Sequence, residues 1–267
     1  MTTVLKIRLH YWVMAKLISS ILFVLLIMGC SQGLNSANEL NDKKLKYTPL
    51  SLEDSKKLIT PTVYFIPQFD QAEENHDCLA KIDMKTKRGT VIVSVCKSTY
   101  DSCVLQGTCL IKKADQKFLI NVASKVNGER RFSNITNSHC TYGLGATQDH
   151  IKSFSSMCLD PYYSVAADLS IYRLGAVIFV PSFAGVLLPN GVVHDGYFVV
   201  RDTGNSIKGY GRFDFFSGFD SYKNKTNPLV FQGFMDKRTH VPYFLIEGPK
   251  AVEILESRLF PSIVVSK

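Results

Sequence analysis

The sequence predicts an all-β barrel with few helices. Its apolar runs are short, rich in β-branched and aromatic residues, and separated by Gly, Pro and Asn turn signals, which is typical of short strands. The chain has 267 residues, of which 46% are hydrophobic and 20% charged. That composition is enough to build a real core in one or two domains. Many short strands joined by such turns indicate a barrel.

Residues 1–30 are predicted to be a lipoprotein signal peptide. Lys16 precedes a short apolar run that ends in Leu26-Ile27-Met28-Gly29-Cys30, the arrangement of a secretory signal. The ending is similar to a bacterial lipobox, which predicts lipidation of Cys30 and a membrane anchor. A transmembrane anchor is the rival interpretation, but the run is shorter than the ~20 residues of a spanning helix. The start codon is left open between Met1 and Met14.

By resemblance to Gram-negative sorting rules, Ser31 after the lipobox predicts the outer membrane, facing the periplasm. Residues 31–58 are polar with little apolar periodicity, so they are predicted to be a flexible tether. A short helix at Ser51–Leu58 is possible within it.

The whole chain has a formal charge of +8, and removal of the signal with its three basic residues leaves +5. A modest positive field favours an anionic polymer as the partner. Nucleic acid is not expected, because the sequence has no dense Lys/Arg patch with interleaved aromatic residues and no binding motif.

Six cysteines follow the lipobox, and an even number in an exported chain predicts three disulfides. They are Cys78, Cys96, Cys103, Cys109, Cys140 and Cys158. Six cysteines allow 15 pairings, among which the sequence does not choose. Zinc is the competing interpretation, but no C-x-x-C pair is present. All six precede Asp168, so disulfides would hold only the first half of the domain.

Strands are predicted from β-branched and aromatic runs, and the first four are Thr62–Pro67, Thr90–Val95, Cys109–Lys112 and Phe118–Val122. A Gly-containing loop at Cys140–Ala146 is predicted to lead towards Asp168 and to pack near the site, and His150–Met157 is predicted to be a helical turn. Near the end of the chain, Leu229–Met235 and Val241–Ile246 are predicted strands. A helix is predicted to begin at Pro249, which suits a first helical turn, and to end at Arg258.

The segment from Tyr163 to Phe219 carries the strongest functional signal. Its strands, predicted at Ala176–Val180, Tyr197–Val200 and Phe213–Phe216, are accompanied by three aspartates among apolar neighbours: Asp168, Asp202 and Asp214. Aspartate is unfavourable in strands and costly to desolvate, so three of them predict a shared polar site. On spacing alone, turn and cap roles explain them equally well.

The ordered motifs of this segment resemble the three-aspartate (3D) domain and the C-terminal part of the lytic transglycosylase A family. That family's pattern is A-x-D…P-x-G…D-T-G-G-x-I-K-G-x-x-x-D-x-F-x-G. The matching pieces are Ala166-Ala167-Asp168, Leu174-Gly175, Asp202-Thr203-Gly204, Ile207-Lys208-Gly209, Phe213-Asp214-Phe215 and Gly218. Arg173 replaces a usual proline, and Asn205 replaces a glycine. Asparagine tolerates a left-handed backbone, so the turn is expected to survive.

The resemblance implies a six-stranded double-psi β-barrel over residues 59–248, followed by a C-terminal helix and tail over 249–267. The founding member of that family has a large second domain, and we expect no complete counterpart of that domain in this chain. The resemblance also implies a monomeric carbon–oxygen lyase, a peptidoglycan lytic transglycosylase. Such an enzyme cleaves the β-1,4 bond between N-acetylmuramic acid and N-acetylglucosamine and leaves a 1,6-anhydro product, with no metal or cofactor. Its partners would be peptidoglycan strands and, through the lipid on Cys30, the membrane.

Motif position assigns the acid/base role to Asp214, whose apolar neighbours are expected to raise its pKa. Asp202 is its expected partner, and its negative charge is expected to help keep Asp214 protonated. Asp168 is assigned to scaffolding or orientation. Further substrate-binding or supporting candidates are Thr203, Gly204, Lys208 and His194.

Two other functions compete with the enzyme. Asp202-Thr203-Gly204 is also the triplet of aspartic proteases, but those enzymes need two such aspartates and the chain has one triplet. The other rival is a non-catalytic peptidoglycan-binding lipoprotein of the same barrel type. Its effect would survive the loss of Asp214, whereas an enzyme's would not.

Overall fold

A computed structural model describes residues 58–74, 78, 80–146, 158–236 and 238–259. The predictions for the signal with Cys30, for the tether with its helix at Ser51–Leu58, and for the turn at His150–Met157 lie outside the described residues, apart from Leu58.

The described residues are mainly β, which confirms the predicted class. Their strands are β1 (Leu58–Tyr64), β2 (Gln68–Asp70), β3 (Lys81–Lys85), β4 (Val91–Cys96), β5 (Thr108–Lys113), β6 (Gln116–Val126), β7 (Glu129–Asn134), β8 (Ser164–Ala166), β9 (Val177–Phe179), β10 (Tyr197–Asp202), β11 (Arg212–Phe216), β12 (Val241–Pro242) and β13 (Phe244–Ile246). Their helices are α1 (Gln71–Glu74), α2 (Lys97–Gln106), α3 (Pro228–Phe231) and α4 (Gly248–Ser257), with a 3-10 turn at Pro181–Phe183.

The central sheet has seven strands in the order β12-β1-β11-β8-β10-β9-β13. Strands β1 and β11 are parallel, as are β8 and β10, and the other neighbours are antiparallel. The expected barrel had six strands. The sheet therefore has one strand more, and its double-psi closure stays a prediction.

This sheet is strongly curled. The Tyr64 hydroxyl on β1 donates a hydrogen bond to Oδ2 of Asp202 on β10, over 3.1 Å. Those strands are separated by β11 and β8, so in a flat sheet they would lie three spacings apart, or about 14 Å. Only curvature lets these two side chains meet across that distance, and the concave face thus gathers side chains from strands that are not neighbours.

Alternation along β11 divides apolar from polar side chains. Phe213 and Phe215 are fully buried in the main core of the central sheet. Arg212 and Asp214, at the alternate positions, point to the opposite face because successive strand residues alternate. The buried phenylalanines therefore fix the strand so that Asp214 faces the concave side.

The described residues within 68–134, between β1 and β8, have sheets and an apolar core of their own, and we call them the insert lobe. It contains the sheet β2-β5-β6-β7, the hairpin β3-β4 and α2. Its core is a separate apolar cluster that includes Met84, Ile111, Ile120 and Phe132. A second sheet thus lies within the segment that was predicted as a barrel.

The insert lobe packs against the concave side of the central sheet. A small apolar cluster joins Tyr64, Ala166 and Phe216 of the central sheet to Leu119 on β6 and Ile135 just after β7. We call it the junction cluster. It places the lobe next to the strands that carry Asp202 and Asp214.

The predicted strand at Leu229–Met235 is wrong, because Pro228 begins the short helix α3 there. Asn227 caps this helix by accepting a hydrogen bond from the Leu229 backbone N–H over 3.0 Å, and proline suits the first helical position. Helix α2 was not predicted, because its sequence has no clear apolar face. The predicted C-terminal helix is confirmed as α4.

The structure confirms three disulfides and selects one of the 15 pairings: Cys78–Cys96, Cys103–Cys109 and Cys140–Cys158. Ligand atoms of His139, Cys140 and Cys158 lie within 4.8 Å of one another. Because these two sulfurs are bonded together, they offer no thiolate to zinc. No described helix is long and apolar enough to cross a membrane.

Cys140 and Cys158 are 18 residues apart. Replacing both by alanine is expected to lower the free energy of unfolding by about 3 kcal/mol, because the disulfide closes a loop of that length in the unfolded chain. Urea unfolding of the variant beside Ser98→Ala, a change at an exposed site on α2, measures the effect. A loss no larger than that of the control would contradict the expectation.

Candidate active site

Asp202 and Asp214 lie on the two strands that flank β8. Asp202 at the end of β10 pairs with Ala166, and Asp214 on β11 pairs with the same residue from the other side. A bulge between Val200 and Asp202 adjusts the register of β10. Both aspartates are partly buried. The two carboxyl groups are therefore held on either side of one alanine.

The Asp214 carboxylate is held by β1. The Thr62 hydroxyl donates to its Oδ1 over 2.6 Å, and Nη1 of Arg212 donates to the Thr62 oxygen over 2.8 Å. Burial raises the pKa of Asp214, while the Thr62 hydrogen bond and the Arg212 charge oppose the rise. Because burial dominates, the protonated form is favoured relative to a free aspartate.

Asp202 is held by a side chain and by the backbone. Its Oδ2 accepts from the Tyr64 hydroxyl over 3.1 Å, and its Oδ1 accepts from the Thr203 backbone N–H over 2.8 Å. Burial raises the pKa of Asp202 to about 7, against the two hydrogen bonds, with a smaller contribution from the Asp214 charge. Asp202 thus exchanges its proton near neutral pH.

The two carboxyl groups influence each other's protonation. Burial raises the pKa of Asp214, as its apolar neighbours predicted. Repulsion between the two carboxylates is mutual, and the Asp214 charge is among the causes that raise the pKa of Asp202. Burial and then both aspartate charges raise the pKa of Tyr64 well above its ordinary range. Its hydroxyl therefore keeps its proton and acts as a donor.

The Asp168 carboxylate accepts hydrogen bonds from its own loop after β8 and from the loop that follows β10. Its Oδ1 accepts from the Ser170 backbone N–H and hydroxyl, and its Oδ2 accepts from the Gly209 backbone N–H over 3.1 Å. These hydrogen bonds, led by the Ser170 hydroxyl, lower the pKa of Asp168. Lys208, predicted to contact substrate or Asp202, lies 3.7 Å from Asp168. Both oxygens of Asp168 are therefore hydrogen-bonded within the protein, and its scaffolding role stays a prediction.

Thr203 and Gly204 shape the turn after Asp202. The Thr203 hydroxyl donates to the Ala167 carbonyl over 2.9 Å, which ties the turn to the end of β8. A Cβ on Gly204 would lie 2.9 Å from Ile207, which is buried in the junction cluster. Asn205 is not among the described residues with positive φ. The turn therefore does not use the left-handed conformation expected there.

One departure from the family pattern was missed. The pattern has three residues between its last glycine and the final aspartate, whereas four residues separate Gly209 from Asp214. Gly211 accommodates the turn with φ +69°, and a Cβ there would lie 2.2 Å from the Leu58 carbonyl oxygen. Its backbone N–H donates to the Tyr172 hydroxyl over 2.9 Å. The longer turn still delivers Asp214 into β11.

His194 does not line the concave face, contrary to its selection as a supporting residue. It is 1% exposed and stacks on the Tyr163 ring at 4.5 Å. Its Nδ1 accepts from the Gly196 N–H, so its Nε2 carries the hydrogen and donates to the Tyr162 carbonyl. Burial lowers the pKa of His194 to about 4. It is a neutral, satisfied core residue.

The predicted loop at Cys140–Ala146 lies beside Asp202. The Ala146 N–H donates to the carbonyl of Arg201 over 2.9 Å, and a Cβ on Gly145 would lie 2.0 Å from the same oxygen. The loop thus packs near the site, against the residue that precedes Asp202.

Sequence reasoning did not assign Thr62, Tyr64 and Arg212 to the site. A signal for the first two exists, since Thr62 and Tyr64 alternate on β1 and so share a face. Their contact with the aspartates depends on the parallel pairing of β1 with β11, in which Thr62 faces Asp214. Residues 152 positions apart carry no local sign of that pairing.

Residues 163–227 match the family model of the 3D domain. The predicted resemblance to this domain is confirmed. The matched segment contains all three aspartates, whereas Thr62 and Tyr64 come from outside it. No curated protein matches the chain.

Solved structures with some likeness include E. coli MltA with bound chitohexaose, at 16% identity and a TM-score of 0.41, covering 61% of this chain and 65% of that one. A membrane-bound lytic murein transglycosylase from Agrobacterium tumefaciens has 12% identity and a TM-score of 0.41, with 74% of this chain and 75% of that one covered. The lytic transglycosylase LtgG of Burkholderia pseudomallei has 14% identity and a TM-score of 0.35, with 70% of each chain covered. The chain spans just under two thirds of the first structure. All three TM-scores are below 0.5, too low to carry an activity across.

Asp202→Asn is expected to change how stability depends on pH. Because the pKa of Asp202 is raised to about 7, the folded chain keeps a proton that the unfolded chain releases near pH 4. Asp202 therefore makes the wild type lose stability as the pH rises from about 4 to about 7. Asparagine has no proton to lose, so the variant should gain stability relative to the wild type between pH 5 and pH 8.

Urea unfolding at both pH values measures this difference. Asp115→Asn, which removes an exposed carboxylate from the turn between β5 and β6, controls for the change in net charge. A difference between Asp202→Asn and wild type that does not vary with pH would show that the Asp202 pKa is not raised.

Thr62→Val is expected to raise the pKa of Asp214, because the threonine hydroxyl stabilises the ionised carboxylate. Thr62→Ser keeps a hydroxyl and is the matched control. The carbon-13 shift of the Asp214 carboxyl, followed by NMR across pH, reports the value directly. An unchanged or lower pKa in the valine variant would exclude this role for Thr62.

Proposed function

We propose that this chain is a peptidoglycan lytic transglycosylase that uses Asp214 as its single acid and base. The observation that carries the proposal is the placement of Asp214 and Asp202 on either side of Ala166, both partly buried and both with raised pKa. A carboxyl that is protonated more readily than usual, yet reachable by solvent, is what a general acid requires.

In the first step, protonated Asp214 donates its proton to the oxygen that links N-acetylmuramic acid to N-acetylglucosamine. The bond between that oxygen and the anomeric carbon breaks, and positive charge builds at the anomeric carbon. In the second step, the Asp214 carboxylate accepts the proton of the sugar's own 6-hydroxyl, whose oxygen bonds to the anomeric carbon. The acid is regenerated and a 1,6-anhydro sugar remains. Because the nucleophile belongs to the substrate, proximity supplies much of the rate.

The contacts of Asp214 suit this exchange of roles. Thr62 occupies Oδ1, while no described residue hydrogen-bonds to Oδ2, which is therefore the oxygen assigned to the proton. Arg212, bonded to the Thr62 hydroxyl, places a positive charge near the carboxylate that forms after the first step. The relay from Arg212 through Thr62 thus steadies the ionised state without cancelling the effect of burial.

Asp202 is proposed to assist from the opposite side of β8. When ionised, its carboxylate places negative charge close to the positive anomeric carbon. Tyr64 and the Thr203 backbone fix both of its oxygens. Asp168 is proposed to act indirectly, by holding the loop that follows β10. Thr203, Gly204 and Lys208, which belong to that loop, are likewise proposed to support the site through the shape of the loop.

The substrate is proposed to be the glycan strand of peptidoglycan. The match of residues 163–227 to the 3D domain, with its resemblance to the lytic transglycosylase A family, supports a glycan ligand for this chain. Lipidation of Cys30 and attachment to the outer membrane facing the periplasm complete the proposal, and they rest on the sequence of residues 26–31. The protein is proposed to act as a monomer.

Asp214→Asn is expected to abolish the formation of anhydro-muropeptides, with a loss of at least about 100-fold, because asparagine cannot donate and retrieve the proton. Mass spectrometry of purified peptidoglycan incubated with each oxidised protein measures the products. Asp115→Asn, remote from the site, should retain full activity.

Other products would redirect the proposal. Sugars with free reducing ends would indicate a hydrolase, with Asp202 as the second carboxylate. Retention on the cell-wall sacculus without any cleavage by the wild type would indicate a peptidoglycan-binding lipoprotein.

A further inference from the structure

The insert lobe has a basic groove that the proposed chemistry does not use. It has a volume of about 660 Å³ and is lined by strand β3, helix α2 and the end of the β6–β7 hairpin. The cationic residues that line it are Lys81, Lys85, Lys125, Arg130 and Arg131, and the acidic ones are Asp83 and Glu129. The groove is therefore an attractive place for a negatively charged group.

Two of these cations are placed against each other. Lys125 on β6 pairs directly with Arg130 on β7, and like charges directly opposite each other destabilise a sheet. Neither side chain forms an ion pair with another described residue. An arrangement that costs stability in the free protein is relieved when an anion binds between the two cations.

A third cation among the lining residues is nearly buried. The Arg131 side chain is 11% exposed and contacts Glu129 through Nη1 over 2.7 Å. Its Nε is buried and has no hydrogen-bond partner among the described residues. A buried donor without a partner is unfavourable, and guanidinium donors pair preferentially with carboxylates and phosphates.

The groove lies apart from the aspartates. Cys78–Cys96 and Cys103–Cys109 close the lobe around its core. Leu119, in the junction cluster beside Tyr64, and Lys125 are six residues apart on β6, which corresponds to about 20 Å along the strand. A ligand in the groove therefore contacts a part of the substrate that is remote from the reacting bond.

We propose that this groove binds the carboxylate groups of the peptide stems that branch from the glycan strand. The inference rests on the proposed function, since it takes peptidoglycan as the substrate, and it adds a second contact point to that substrate. Stems project from the strand at regular intervals and carry free carboxylates. A strand seated at Asp214 can thus place a neighbouring stem on the insert lobe.

The test compares binding of two soluble ligands, glycan strands with their stems and the same strands stripped of stems by an amidase. The full chain, purified in mild detergent, carries Asp214→Asn so that neither ligand is consumed. Lys125→Glu with Arg130→Glu reverses the cross-strand pair of the groove. Lys112→Glu with Lys117→Glu is the matched control, because these residues also face each other across two strands of the lobe but do not line the groove.

We expect the unreversed protein, which carries Asp214→Asn but keeps Lys125 and Arg130, to bind strands with stems about tenfold more tightly than stripped strands. Two or three carboxylate contacts supply roughly that factor. The groove variant should lose this preference while its affinity for stripped strands is unchanged, and the control variant should keep it. The preference should also weaken as salt is raised. Circular dichroism and thermal unfolding of both variants report whether the lobe stays folded.

Three outcomes would overturn the inference: equal binding of both ligands by the unreversed protein, a preference that survives in the groove variant, or a preference lost equally in the control. Retention of a soluble polyphosphate by the groove without any preference for stems would assign it to phosphate polymers instead. Because binding is measured in a protein that cannot cleave, these outcomes are independent of whether anhydro products are formed by the wild type.

Discussion

The site depends on the position of β8 between β10 and β11. This strand has three residues, all buried, and its last residue, Ala166, pairs with Asp202 on one side and Asp214 on the other. Two carboxyls that face a common side chain must share one environment, so each is affected by the burial of the pair. Everything else in the site, including Thr62, Tyr64 and the turn at Thr203, serves to hold these two groups where the sheet has put them.

That arrangement costs free energy, and the fold contains the compensation. Removing a carboxylate from water is unfavourable unless it is hydrogen-bonded, and each aspartate receives only one or two donors. The buried rings of Phe213 and Phe215 fix the register of β11 from the other face of the sheet. The core thus stabilises a strand whose concave face, with its partly buried carboxyl, would be unfavourable by itself, which is common at functional sites. The outcome is a carboxyl that holds its proton more tightly than a surface aspartate does.

The sequence predicted the parts of the site that are encoded locally. The three aspartates and the turn after Asp202 stand in one segment of the chain, with turn residues and spacing that identify them. Thr62 and Arg212 could not be placed in the same way, because their contact needs a parallel pairing between strands about 150 residues apart, which no local pattern records. His194 misled for the opposite reason, since a histidine beside Asp195 and Gly196 reads as a loop residue, whereas the rings of Tyr163, Phe183 and Phe198 enclose it. At Leu229–Met235 the β-type composition was outweighed by Asn227 and Pro228, which start a helix.

The packing of the insert lobe in the junction cluster affects the environment of Asp202. Tyr64 belongs to that cluster by its ring and to the site by its hydroxyl, so the packing of Leu119 and Ile135 against the ring also fixes the donor to Asp202. A shift of the lobe would move the hydroxyl and change the pKa of Asp202, because the hydrogen bond from Tyr64 is one of the two that lower it. The disulfides in the lobe limit such shifts by fixing the lobe's own core. A segment that contributes no carboxyl to the site therefore still helps to set the proton affinity of one that does.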